Sequence, residues 1–157
     1  MIRDVLVHPN PLLTRAAEPI AAADAGPIVE DLLDTMRAFG HCVGIAAPQI
    51  GEPVRVAVVD VTGHPKAEHH HGELVLVNPV IVAAWGSEAG REGCLSIPEL
   101  TANVRRATHV TVEAEGLRVE AIGFEARALQ HEIDHLDGLL FLDRVESLEA
   151  DVFRRKR

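Results

Sequence analysis

A chain of 157 residues, 47% hydrophobic and 25% charged, can bury a core without disulfides, and one domain over residues 1–157 is the expectation. Its net charge of −9 argues against a nucleic-acid-binding body, which needs clustered cations to meet phosphates. With no Tyr, one Trp and four Phe, the core must rest on Val, Leu, Ile and Ala.

The opening, MIRDVLVHPNPLL, has no long apolar stretch and no small-residue cleavage site, so it does not read as a signal peptide. No run reaches the ~18 apolar residues of a membrane span. The expectation is a cytoplasmic protein, in which Cys42 and Cys94 act as ligands, nucleophiles or packing residues rather than as a disulfide. Pro27 opens a segment with Ile28, Val29, Leu32, Leu33 and Met36 at helical spacing, and Gly40 lies near its stop. After the Gly-containing stretch GHCVGIAAPQIGEP, the run from Val54 to Val61 is rich in β-branched residues and predicts a buried strand. TGHPKAEHHHGE reads as a polar loop, and its three adjacent histidines, His69, His70 and His71, as solvated. LVLVNPVIVAAW predicts strand, turn at Asn78-Pro79, strand. Thr108 to Ala114 and Leu117 to Ile122 predict a hairpin turning at Glu115-Gly116. Pro98 argues against a long central strand after Cys94. From Phe124 the period changes to three and four, with Ala126, Leu129, Ile133 and Leu136 as a buried stripe and Gly138 at the stop. The tail from Glu146 reads as a short, partly exposed helix ending in Arg154-Arg155-Lys156-Arg157, a solvated terminus or a weak dock for an acidic partner such as the ribosome. Strands in the middle and helices at both ends make the chain α+β.

The last long helix carries His131-Glu132-Ile133-Asp134-His135, an H-E-x-x-H pattern. Residues four apart share a helix face, so His131 and His135 can aim two imidazoles at one ion. Glu132 can reach a water on that ion without binding the metal itself, which is the chemistry of a metal-assisted hydrolase. The buried stripe lies on another face. The bland alternative is a pair of surface histidines on an acidic helix. A catalytic site of this kind needs a third ligand. Position 141, where a metzincin would carry it, is Phe141, and Glu146 and Glu149 have little chain after them. Cys94, in Arg91-Glu92-Gly93-Cys94-Leu95-Ser96-Ile97-Pro98, is the better candidate, although taken alone it reads as a packing cysteine.

Three segments read together resemble the signature motifs of the peptide deformylase family. They are Gly44-Ile45-Ala46-Ala47-Pro48-Gln49-Ile50-Gly51, Glu92-Gly93-Cys94-Leu95-Ser96, and Gln130-His131-Glu132-Ile133-Asp134-His135-Leu136-Asp137-Gly138. Their order and separation match, and His8-Pro9-Asn10-Pro11-Leu12 and Glu18-Pro19-Ile20 resemble the family's N-terminal segment. The resemblance implies antiparallel or mixed sheets around a metal-bearing helix, in a monomer that removes the formyl group from the N-terminal methionine of new polypeptides. It implies one divalent ion, ferrous iron by preference and otherwise zinc, nickel or cobalt, held by Cys94, His131 and His135. Glu132 matches the general base and acid. Gln49 and the backbone N–H of Leu95 match the donors to the formyl oxygen, and Gly44 and Ile45 the segment that pairs with the substrate backbone. Glu92, Phe124 and Ala128 match positions lining the pocket for the first side chain.

The chain also departs from the family. Cys42 stands where the first motif usually begins with Gly, a packing change or a redox-sensitive thiol at the site mouth. Thr101 takes the place of an Arg that often helps hold the peptide, and the hairpin at Glu115-Gly116 is short. The missing Arg and short hairpin motivate one alternative, a deformylase of a small N-formyl metabolite. A small H-E-x-x-H protease and an inactive metal-stabilised homologue are the others, the last opposed by intact Gln49, Cys94, His131, Glu132 and His135.

Overall fold

The computed structural model of the protein describes residues 1–155. In chain order the elements are α1 (Gly26–Ala38), β1 (Gly44–Ala46), β2 (Val56–Val59), β3 (Leu74–Val77), β4 (Val80–Trp85), β5 (Glu88–Cys94), β6 (Ile97–Arg106), β7 (His109–Ala114), β8 (Leu117–Ile122), α2 (Gly123–Leu136), α3 (Leu148–Asp151) and β9 (Val152–Arg154). The strands form three antiparallel sheets, ordered β1-β2-β3, β4-β7-β8 and β5-β6-β9. The α+β expectation holds.

The uninterrupted apolar run of β2 follows from its position between the two long helices. Successive side chains of a strand point to opposite faces. Val56 and Val58 join the cluster of Leu32 and Met36 from α1, while Ala57 and Val59 join that of Ala126, Leu129, Ile133 and Leu136 from α2. With both faces covered, alternation disappears. Val110, Val112, Val119 and Ala121 of the β7–β8 hairpin close the same core over α2. A third cluster, with Leu13, Cys94, Ile97, Val104 and Phe141, lies under the β5-β6-β9 sheet.

α2 is therefore enclosed by protein, and its polar residues are tied down rather than solvated. Gln130 brackets Ala107, accepting from its N–H at 3.0 Å and donating to its carbonyl at 2.9 Å. Arg55 and the Ala17 N–H both donate to the Leu136 carbonyl at 2.8 Å, at an end of the helix where carbonyls lack intrahelical donors. The stop at Gly138 has two causes: its φ is +77°, and a Cβ there would stand 2.8 Å from the Thr14 carbonyl oxygen.

Three expectations need correction, and β5 is a strand for which none was made. β5 was not legible as a strand, because Glu88–Cys94 alternates glycine and charge without an apolar face and is held by its pairing with β6. β6 runs ten residues despite Pro98, because the register jumps from Cys94↔Ile97 to Gly93↔Thr101 and leaves Pro98 in a bulge with no ladder donor required. The tail is helical only for the four residues of α3. β9 then pairs Val152, Phe153 and Arg154 with Ala102, Thr101 and Leu100. Of the basic run, read as a solvated terminus or a weak dock, Arg154 is exposed and Arg155 half-buried, while residues 156–157 lie outside the described part. The loop between β2 and β3 is docked rather than free. The His71 ring and backbone N–H both bond the carboxylate of Glu125, at 2.5 and 2.7 Å. Glu125 is 1% exposed at the first turn of α2 and needs such partners. His69 and His70 are exposed, as expected.

Candidate active site

Cys94 ends β5 at the tight turn into β6, and α2 brings His131 and His135 against it. The three donor atoms lie within 4.8 Å of one another, and Cys94 Sγ is 3.4 Å from His135 Nε2. All three residues are almost fully buried. Burial alone would push the Cys94 thiol up, but the charges and hydrogen bonds of His135 and His131 reverse this and hold it well below its ordinary value. One thiolate and two imidazoles converging in this way suit a single zinc or ferrous ion, so the donor set fits the metal that the H-E-x-x-H pattern implies.

His131 is oriented from behind. Its Nδ1 meets Glu92 Oε1 at 2.8 Å, which leaves Nε2 free toward Cys94 and His135. Glu92 borders the cavity, as the resemblance implies, yet both its carboxylate oxygens are committed. Arg106 grips it through Nε and Nη2 at 2.8 and 2.9 Å, and Arg127 adds a bond at 2.8 Å. Burial would raise the Glu92 carboxyl, but the bonds from Arg106 and His131 outweigh it and hold the group far below the usual carboxylate range. Arg106 also bonds Asp134 at 2.6 Å, and Arg144 closes the network onto Asp134 at 2.8 Å. Sequence reading missed Arg106, Asp134, Arg127 and Arg144 as supports. A run such as Val104-Arg105-Arg106-Ala107 does not mark which arginine turns inward, although the alternation of β6 with Ala102 and Val104 inside could have done so.

Glu132 Oε1 is buried and has no hydrogen-bond partner among the described residues. Burial pushes its carboxyl up, against the pull of His131 and His135. A carboxyl poised this way is suited to exchanging protons. Room for it is made by Gly44: a Cβ there would stand 2.7 Å from Glu132 Oε2 and 2.9 Å from its Cγ. Gln49, 2% exposed, is fixed at both ends of its amide. Its oxygen accepts from the Ala46 N–H at 3.0 Å, and its Nε2 donates to Ser96 Oγ at 3.0 Å while lying 3.5 Å from Cys94 Sγ. Ser96 is thus a further support. The backbone of the N-terminal segment braces both residues, with Leu6 N–H donating to the Gln49 carbonyl and His8 N–H to that of Ser96.

These groups open into a cavity of about 320 Å³. Gly44, Leu95, Phe124 and Ala128 all contribute to its wall. Ile45 does not reach it: fully buried, its side chain packs with Leu32 and Val58, so only its backbone on the edge strand β1 can meet a substrate. The sequence missed His64, whose ring stacks on Phe124 at 4.0 Å and roofs that wall with Lys66. Cys42 also lines the cavity, but burial pushes its thiol up to about 12 and it donates to the Gly44 carbonyl at 3.1 Å. The packing reading fits that thiol better than the redox-sensitive one.

The family model described as Polypeptide deformylase matches residues 2–151. The chain belongs to that family. It is 39% identical to the peptide deformylase of Syntrophobacter fumaroxidans over 99% of this chain and 93% of that one. Among solved structures, the peptide deformylase of Legionella pneumophila superposes with a TM-score of 0.84 at 38% identity, covering 95% of this chain and 89% of that one. A Met-Ala-Ser-bound class I type b peptide deformylase from Acinetobacter baumannii gives 0.82 at 33% identity, covering 92% and 99%. Deformylases are metal-dependent hydrolases, and the cluster of Cys94, His131 and His135 is where this member can hold its metal. No helix among the described residues is long and apolar enough to cross a membrane.

Proposed function

We propose that this deformylase removes the formyl group from the N-terminal formyl-methionine of newly made polypeptides, acting as a cytoplasmic monomer with ferrous iron at Cys94, His131 and His135. The observation that carries this reading is the convergence of two further groups on the ligand cluster. They are a buried carboxylate with an unpartnered oxygen, Glu132, and a clamped amide, Gln49, and a structural metal site needs neither. A divalent cation held there supplies Lewis acidity, polarising the formyl group and lowering the pKa of water to about 7 in favourable sites.

The protein's own residues do the rest. Glu132 takes the proton of the attacking water and later gives it to the leaving amine. Gln49 Nε2 and the backbone N–H of Leu95 donate to the oxygen on which negative charge develops. Because Ala46 and Ser96 hold the Gln49 amide in advance, no reorganisation is needed when that charge appears. The backbone of Gly44 and Ile45 offers the free edge of β1 to the substrate chain. Phe124, Ala128 and His64 form an apolar wall for the first side chain, and an aromatic surface suits the thioether of methionine.

Gln49→Leu is expected to keep its metal and lose ~10²–10³ in kcat, the usual cost of one oxyanion donor. Near-normal turnover in that variant contradicts the donor role. The substrate is tested by anaerobic purification, metal analysis and assay of the same sample on formyl-Met-Ala-Ser and on free formyl-amino acids. The tripeptide is the expected preference, in line with the Met-Ala-Ser bound to the Acinetobacter relative. A preference for free formyl-amino acids points instead to a metabolite deformylase.

A further inference from the structure

The cavity wall carries more cations than carboxylates, in a chain whose net charge is −9. Lys66, Arg91, Arg127 and Arg155 line it, and among the described residues its carboxylates are Glu92 and Glu132, the former bound by Arg127. Two of these cations differ in how they are used. Arg91 is engaged: its guanidinium lies 3.9 Å over the Phe153 ring and bonds Asn103 Oδ1 at 3.0 Å and Thr101 Oγ1 at 3.4 Å. Arg155 has no acidic partner among the described residues, and its Nε is buried without a hydrogen-bond partner there. A buried guanidinium N–H left unpaired is costly, so such a group commonly awaits an acceptor that arrives with a ligand.

The fold delivers Arg155 to this place by an exact register. β9 pairs Phe153 with Thr101 and Arg154 with Leu100, and the Arg155 N–H then donates to the Glu99 carbonyl at 2.8 Å. From there the side chain crosses the face of β5 at Gly93, next to the ligand Cys94. A Cβ on Gly93 would stand 3.3 Å from the Arg155 Cζ and would collide with its Nη2. Gly93 therefore opens the channel through which the guanidinium enters the cavity wall.

We propose that Arg155 binds the substrate chain beyond its first residue. Its guanidinium takes an oxygen acceptor there, a backbone carbonyl or a terminal carboxylate of the formylated peptide. The supporting geometry is that Gly44, on the edge strand β1, lines the same cavity as Gly93 and Arg155. A peptide whose formyl end meets the ligand cluster and whose first side chain meets Phe124 has Arg155 within the same cavity for the rest of its chain. The inference rests on the deformylase reading and adds a residue that sets substrate length.

The test compares wild type, Arg155→Ala and Arg155→Lys, each with its metal content measured, on three substrates: formyl-Met-amide, formyl-Met-Ala-Ser and formyl-Met-Ala-Ser-amide. In Arg155→Ala, KM for formyl-Met-Ala-Ser is expected to rise about tenfold with kcat within twofold of wild type, and Arg155→Lys to recover part of the loss. The advantage of the tripeptide over formyl-Met-amide in kcat/KM should shrink by the same tenfold. Equal loss on both tripeptides identifies a backbone carbonyl as the acceptor, and loss on the free acid alone identifies the terminal carboxylate. An unchanged KM for the tripeptides, or a loss of equal size on all three substrates, overturns the role. If wild type with full metal hydrolyses none of the three, the deformylase reading itself has failed.

Discussion

Glu132→Gln should bind metal as the wild type does and lose at least about 10³ in kcat, within the span expected when an acid–base residue is removed. The substitution keeps shape and volume, so the carboxamide still fits the space that Gly44 leaves free. None of the three clustered donors is changed. What is lost is the capacity to take a proton, together with the charge that interacts with His131 and His135. A 10³-fold loss corresponds to about 4 kcal/mol of barrier, which is far more than a packing change at a buried but isosteric site would produce. The measurement is kcat on formyl-Met-Ala-Ser beside metal content by elemental analysis. Turnover within tenfold of wild type at full metal occupancy contradicts the assignment. An inactive wild type would instead favour a homologue that keeps its metal only for stability.

Arg106→Met is expected to be the most damaging change outside the reacting groups. The Arg106 side chain is 4% exposed and bridges two carboxylates, Glu92 and Asp134, that are nearly as buried. Removing one partner of a buried ion pair leaves the other charge uncompensated, at a cost of ~3–5 kcal/mol. Here Arg127 and His131 still hold Glu92, and Arg144 still holds Asp134, so the lower end applies. About 3 kcal/mol lowers the Tm of a chain of this size by roughly 6–12 °C. A second effect follows through Glu92, which fixes the His131 ring. Loss of such outer partners typically weakens metal binding by roughly 10–100-fold. Thermal denaturation and a competitive zinc titration read the two effects separately. A Tm within 1 °C of wild type would show that the network carries no stability, and an unchanged zinc affinity would show that Glu92 does not depend on Arg106.

The parts of this site legible in the sequence were those written as local spacing. His131 and His135 declare themselves because four residues make about one helical turn, and the stripe from Ala126 to Leu136 shows which side of that helix is spoken for. Cys94 entered through its motif and the order of the three segments, since a single cysteine carries no spacing to read. What stayed hidden depends on pairing between distant strands. β5 has no apolar face of its own, and only its ladder with β6 makes it a strand and sets Cys94 beside α2. β9 follows directly on the four helical residues of α3, and nothing local marks the change. Its pairing with Leu100–Ala102, which no local preference encodes, turns it into a strand and carries Arg155 into the cavity. Glu92 shows a related limit. Its motif implied a pocket-lining residue, and it does line the cavity, but the motif did not show that its carboxylate is tied to Arg106, Arg127 and His131.

The central claim is that Cys94, His131 and His135 hold one catalytic ion together. X-ray absorption on the zinc-loaded protein, with deformylase activity followed as a function of metal bound, tests it most directly. The account predicts one metal per chain, one sulfur neighbour at ~2.3 Å, two imidazole nitrogens at ~2.0–2.1 Å, and activity that rises in proportion to occupancy. A metal shell without sulfur, or activity that persists after the metal is removed, would contradict it.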